Sequence, residues 1–144
     1  MPNLLAGALA WLAVQPPAQA IPPGVLQEVR VNALIYRDWS RLAPIRMIVT
    51  TDQVRVVSPG PWSVAIRDPA VLSVAVGPPQ RAPILIDLWR TALGGPIPGL
   101  GLGLSRIQGA LAAARLPAAI WRATAQAVAV QLWTRRFPEA TDAE

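Results

Sequence analysis

Cysteine and histidine are absent from the chain, and lysine is too, so all thirteen basic residues are arginine. Without thiol or imidazole there can be no disulfide, no Cys/His zinc site, no Ser-His-Asp triad and no cysteine nucleophile. Carboxylates number only eight. Three of these, Glu139, Asp142 and Glu144, fall in a polar tail over 138–144, expected to be disordered. Acid–base chemistry must therefore draw on Glu28, Asp38, Asp52, Asp68 or Asp87. Charged residues make up 15% of the chain against 53% hydrophobic, which excludes a disordered polyelectrolyte despite 16 prolines and 10 glycines. The 144 residues suit one domain, read here as 1–137, with enough chain to bury a core. The net charge of +5 permits an anionic partner. The arginines are scattered, however, and only Arg135-Arg136 are adjacent. No recognition helix with clustered arginines is evident, so direct DNA contact by this chain is not expected.

The densest set of polar side chains runs from Glu28 to Ser40 (EVRVNALIYRDWS). Read as a helix, positions 25, 29, 32, 33 and 36 share one face, with Glu28 and Asn32 one turn apart at its edge. A carboxylate and a carboxamide so placed can polarise water and ligate a hard cation, or can be an incidental pair on a solvated helix edge. Before this stretch, Leu4 to Val14 form an apolar run followed by Ala18-Gln19-Ala20. That resembles a secretory signal without its basic start. The preferred reading is a buried helix with Leu4, Leu5, Ala8 and Leu12 inward, ended by Pro16-Pro17. The run is too short to span a bilayer, so no membrane association is expected.

Pro22-Pro23 opens the Glu28 helix, which should end near Arg37. Pro44–Thr50 and Val54–Val57 alternate as strands around a turn at Thr51-Asp52-Gln53, making an antiparallel hairpin stopped by Ser58-Pro59-Gly60-Pro61. Residues 62–79 read as a long loop, and Arg81–Leu93 as a helix closed by Gly94-Gly95-Pro96. A second informative stretch follows, Gly99-Leu-Gly101-Leu-Gly103-Leu-Ser-Arg106, opening a helix to about Ala114. Glycines before a helix start leave N–H groups uncovered where an anion can approach, or allow close backbone packing. Ile120–Arg122 and Val128–Thr134 read as closing strands.

Taken in order, Pro22 to Thr134 resembles the C-terminal ATPase-like domain of RecG-like, Schlafen/AlbA-type transcriptional regulators, itself similar to the GHKL ATPases such as gyrase, histidine kinase and MutL. Residues 28–40 resemble that family's E-A-x-x-N-A-x-x-H-R-D-Y-S. Ser58-Pro59-Gly60 resembles its N/S-P-G, Arg81-Ala82-Pro83 its R-N-P, and Gly99 to Gly103 its G-x-G segment. Tyr36 stands for the family's His, Ala82 for its Asn, and Ser58 or a neighbour where GHKL relatives use an Asp to read adenine.

The resemblance implies an α/β (α+β) two-layer sandwich, a mixed and mostly antiparallel sheet covered on one face by helices. It implies ATP with Mg²⁺ held between the Glu28 helix and the glycine segment. Glu28 would be the catalytic base and Asn32 the Mg²⁺ ligand, with Asp38, Gly60, Gly99, Gly101 and Gly103 binding the nucleotide. The implied function is an ATP-binding module of a cytoplasmic transcriptional regulator, at most a slow Mg²⁺-dependent ATPase, working as a homodimer or beside a partner DNA-binding domain. The alternatives are the same fold without nucleotide binding, acting as an interaction or dimerisation module, and a small secreted protein beginning at Ile21.

Overall fold

Two hairpins more than sixty residues apart in sequence are stitched into one sheet through their inner strands. The computed structural model describes residues 7, 10–35, 37–61 and 103–136. The strands are β1 (Arg46–Val49), β2 (Gln53–Pro59), β3 (Ile120–Ala123) and β4 (Ala127–Trp133), in spatial order β1-β2-β4-β3. Every pairing among them is antiparallel. The two long strands pair along their whole length, from Gln53 opposite Trp133 to Pro59 opposite Ala127. Among the described residues the fold is therefore α+β with an open antiparallel sheet, where the sequence led us to expect a mixed one.

Both turns follow from their residues. In the β1–β2 turn the Thr50 N–H donates to the Gln53 carbonyl at 2.9 Å, and the Thr50 hydroxyl donates to Asp52 at 3.0 Å. In the β3–β4 turn the Thr124 hydroxyl accepts from the N–H groups of Gln126 and Ala127. Short polar side chains bonding the backbone two or three residues on stabilise such reversals. Strand β2 is longer at its far end than the alternation indicates. Ser58 and Pro59 continue the ladder, and the chain leaves it at Gly60, whose φ of 110° is the left-handed region open to glycine.

Alternation assigns the sheet two faces. Val54, Val56 and Ser58 of β2 and Val130 and Leu132 of β4 are buried under the helices. Helix α1 (Pro23–Ile35) lies on β2, and α2 (Gly103–Ala113) packs on α1. Because α1 has two neighbours, it buries two stripes. Val25, Val29 and Ala33 enter the core, while Glu28, Val31 and Ile35 occupy a second stripe that the expected 25-29-32-33-36 face omits. Asn32 is half-exposed, and Tyr36 lies outside the described residues.

The N-terminal segment joins this core. Residues 10–13 are helical, and Pro16-Pro17, which end that turn, also open a 3₁₀ helix, Pro16–Ala20. Leu12, Ala18 and Ile21 are buried in the common cluster. Leu4, Leu5 and Ala8 lie outside the described residues, as do the expected loop, the helix over Arg81–Leu93, Asp68, Asp87, Ala82 and the tail.

Helix α2 ends in a Schellman-type turn: Leu116 N–H donates to Leu111 O and Arg115 N–H to Ala112 O, with Arg115 at φ 56°. Gln108 then ties the helix to the approach of β3, its carboxamide donating to and accepting from the backbone of Ala119 at 3.1 and 2.9 Å. Among the described residues no helix is long and apolar enough to cross a membrane.

Candidate functional site

Packing of α1 on α2 brings together two stretches that the sequence keeps far apart. Glu28 and Asn32, one turn apart on α1, meet Gly103, the first residue of α2. A methyl group at Gly103 would fall 3.1 Å from Asn32 Nδ2 and 3.1 Å from Glu28 Cδ, and would overlap Glu28 Oε1. Only a glycine lets the backbone come this close to the carboxylate. Gly99 and Gly101 lie outside the described residues.

Glu28 is 7% exposed, so it is not part of a solvated helix edge. Burial pushes its carboxyl above the ordinary carboxylate value, and this outweighs two opposing effects, the positive charge of Arg106 and a side-chain hydrogen bond with Asn32. Arg106 sits one turn into α2, and its own side is exposed to solvent. It is the site residue that sequence reasoning left without a role. Its spacing of three from Gly103 is the signal that could have found it, because that places it over the same end of α2.

The donor set suits a hard cation in one specific way. An ionised carboxylate only accepts hydrogen bonds, so Asn32 donates to Glu28 through Nδ2, leaving Oδ1 on the opposite side of the planar amide. Among the described residues no three Asp, Glu, His or Cys side chains gather. A cation at Asn32 would thus find one or two protein oxygens and complete its shell from water and ligand oxygens, which is the habit of Mg²⁺ with phosphates. The start of α2 adds the positive end of its dipole. These residues could hold a hydrated magnesium ion beside a phosphate.

Asp38 and Gly60 form a separate group beyond the C-terminal end of α1, seven residues and roughly 10 Å along the axis from Glu28 to Ile35. Asp38 N–H donates to Pro59 O at 2.9 Å, and Gly60 N–H donates to Gln126 O at 2.9 Å. The Asp38 carboxylate accepts from Ser40 Oγ at 2.6 Å, Ser40 N–H at 3.1 Å and Arg41 Nε at 3.1 Å. Arg41 in turn donates to Gln126 at 2.9 Å, joining this turn to the β3–β4 turn. Asp38 thus shapes the loop that leaves α1. Ser58 donates its hydroxyl to Ala33 O at 2.8 Å in the interior. Ala33 is within the last turn of α1, where carbonyls have no intrahelical partner, so this hydroxyl caps the helix. Trp39 does the same for Leu34 O at 3.2 Å, with the Arg37 guanidinium 4.9 Å over its ring.

No known family model and no curated protein matches the chain. Among solved structures it is similar to the DIP2311 protein of Corynebacterium diphtheriae, with 30% identity and a TM-score of 0.71 over 94% of this chain. The chain spans 28% of that protein's length.

Proposed function

We propose that the chain is an ATP-binding module of the GHKL type, similar to the C-terminal ATPase-like domain of RecG-like transcriptional regulators, with the nucleotide held between α1 and the glycine segment ending at Gly103. The observation that carries this reading is the meeting of Glu28, Asn32 and Gly103 across the α1–α2 contact. Magnesium would supply charge neutralisation along the phosphates. Asn32 would offer its Oδ1 to the cation. Gly103 and the first turn of α2 would face the phosphates with backbone N–H groups. Glu28, with its proton affinity raised by burial, would orient a water and accept its proton. Binding does not oblige turnover, which in such sites needs closure over the ligand.

The reading is tested by thermal melting with and without Mg²⁺-ATP. A ligand that binds only the folded state adds about 2.7 kcal/mol at a hundredfold excess over its dissociation constant. We expect a magnesium-dependent rise that Asn32→Ala abolishes, and Glu28→Ala should retain binding while losing any turnover. No rise at millimolar nucleotide, in a protein that melts cooperatively, would refute the proposal. That outcome favours the second reading, a GHKL-like fold serving interaction, for which Ser58 speaks because its hydroxyl caps α1.

A further inference from the structure

The sheet face turned away from the helices collects arginines that the sequence scatters. By register, Arg55 on β2 stands opposite Gln131 on β4, which stands opposite Ile120 on β3. In the next row Arg46, Val57, Ala129 and Arg122 cross the four strands in order. With strands about 4.8 Å apart, the three guanidinium-bearing positions span roughly 14 Å of sheet. All three arginines are exposed, and none makes an ion pair or hydrogen bond with another described residue. The described acids are elsewhere: Glu28 under α2, Asp38 paired with Arg41, and Asp52 in the β1–β2 turn beside Arg135. On this face lies a cleft of about 250 Å³ lined by Gln53, Arg55, Ile120, Arg122, Ala129 and Gln131.

We infer that this face binds single-stranded nucleic acid, with Arg46, Arg55 and Arg122 on phosphates and the Gln53 and Gln131 carboxamides facing base edges. Charge complementarity selects a polyanion, and planar guanidinium matches phosphate in a two-pronged hydrogen bond. A second copy of the same face would set arginine against arginine with no acid between them. A protein partner would look for a large apolar anchor, and Ala129 and Ile120 are the two apolar side chains lining the cleft. Open sheet faces that mix positive charge, carboxamides and some apolar surface suit unstacked single strands. Ile120, 38% exposed, provides that surface. The face lies across the sheet from the α1–α2 site and is independent of what binds there.

The test is fluorescence anisotropy of a labelled mixed-sequence strand, about 12 nucleotides long, within the usual range of site sizes. Three phosphate contacts should make log affinity fall with log salt at a slope of about −2. Arg55→Gln/Arg122→Gln should lose at least about tenfold in affinity and most of that slope. Arg115→Asn/Arg136→Gln, which removes the same charge from outside the cleft, should leave both unchanged. If the first pair melts early, Arg46→Gln at the sheet edge makes the same test, with a slope shallower by about 0.7. The inference is overturned by absence of binding at the lowest salt, by equal losses in the two pairs, or by equal affinity for a duplex. Equal competition by polyglutamate also overturns it and assigns the face to an acidic protein partner.

Discussion

Replacing Gly103 by alanine sets two effects of known sign against each other. Its backbone lies outside the left-handed region, so alanine is conformationally allowed, and helix propensity alone favours alanine by up to about 1 kcal/mol. The new methyl would nevertheless overlap Glu28 Oε1 and crowd Asn32 Nδ2 at 3.1 Å. The carboxylate is the movable partner, because it is the end of a flexible side chain while the helix backbone is fixed by packing. Glu28 must rotate and give up its hydrogen bond with Asn32, a loss of about 1.5–3 kcal/mol for a bond to a charged group. The net expectation is a destabilisation of about 1–2 kcal/mol, or a melting temperature lower by about 3–6 °C. In a Glu28→Ala background the obstructing atom is gone, so the same substitution should be neutral or stabilising by up to about 1 kcal/mol. Urea denaturation of the four proteins in this cycle measures the coupling. An equal cost in both backgrounds would refute the close approach of α2 to Glu28.

Two further outcomes follow from the same geometry. Ser58→Ala strands the buried Ala33 carbonyl, so it should cost about 1–3 kcal/mol in urea denaturation while leaving any Mg²⁺-ATP melting shift intact; a lost shift at unchanged stability would instead make Ser58 a ligand contact. Because burial raises the Glu28 pKa in the folded state, its contribution to stability is full below the unfolded value of 4.5 and is lost as pH rises through the folded one. Glu28→Gln should therefore gain on wild type between pH 4 and pH 8, and a difference that is flat with pH would contradict the burial of the carboxyl.

Much of the local structure was legible because single residues punctuate it. Pro22-Pro23 marks the start of α1, Thr51-Asp52-Gln53 marks the first reversal, and the alternation of Val54, Val56 and Val128, Val130 marks half-covered strands. What stayed hidden depends on long-range partners. Nothing in β2 or β4 alone says that they pair, yet this pairing makes one sheet of two hairpins. The arginines likewise look dispersed along the chain, and only register sets Arg46, Arg55 and Arg122 on one face. Ser58 read as part of the Ser58-Pro59-Gly60-Pro61 strand stop, and its capping of α1 stayed hidden because the helix carbonyl it meets lies 25 residues earlier.

Glu28 shows why periodicity put Glu28 and Asn32 one turn apart and yet misjudged their surroundings. A single helix turned toward one sheet has one apolar stripe, and on that assumption Glu28 falls at the edge, where water would keep its carboxyl ordinary. Helix α1 instead carries a second helix on its other side. The stripe of Glu28, Val31 and Ile35 is buried by tertiary packing that begins at Gly103. A charged group in such a stripe lowers stability unless it is partnered, and here the partners are a carboxamide one turn away and an arginine from the opposing helix. Optimising the fold alone would put an apolar side chain at position 28. A carboxylate there, against a glycine that leaves it room, agrees with the proposed site, in which stability would be traded for a reactive group.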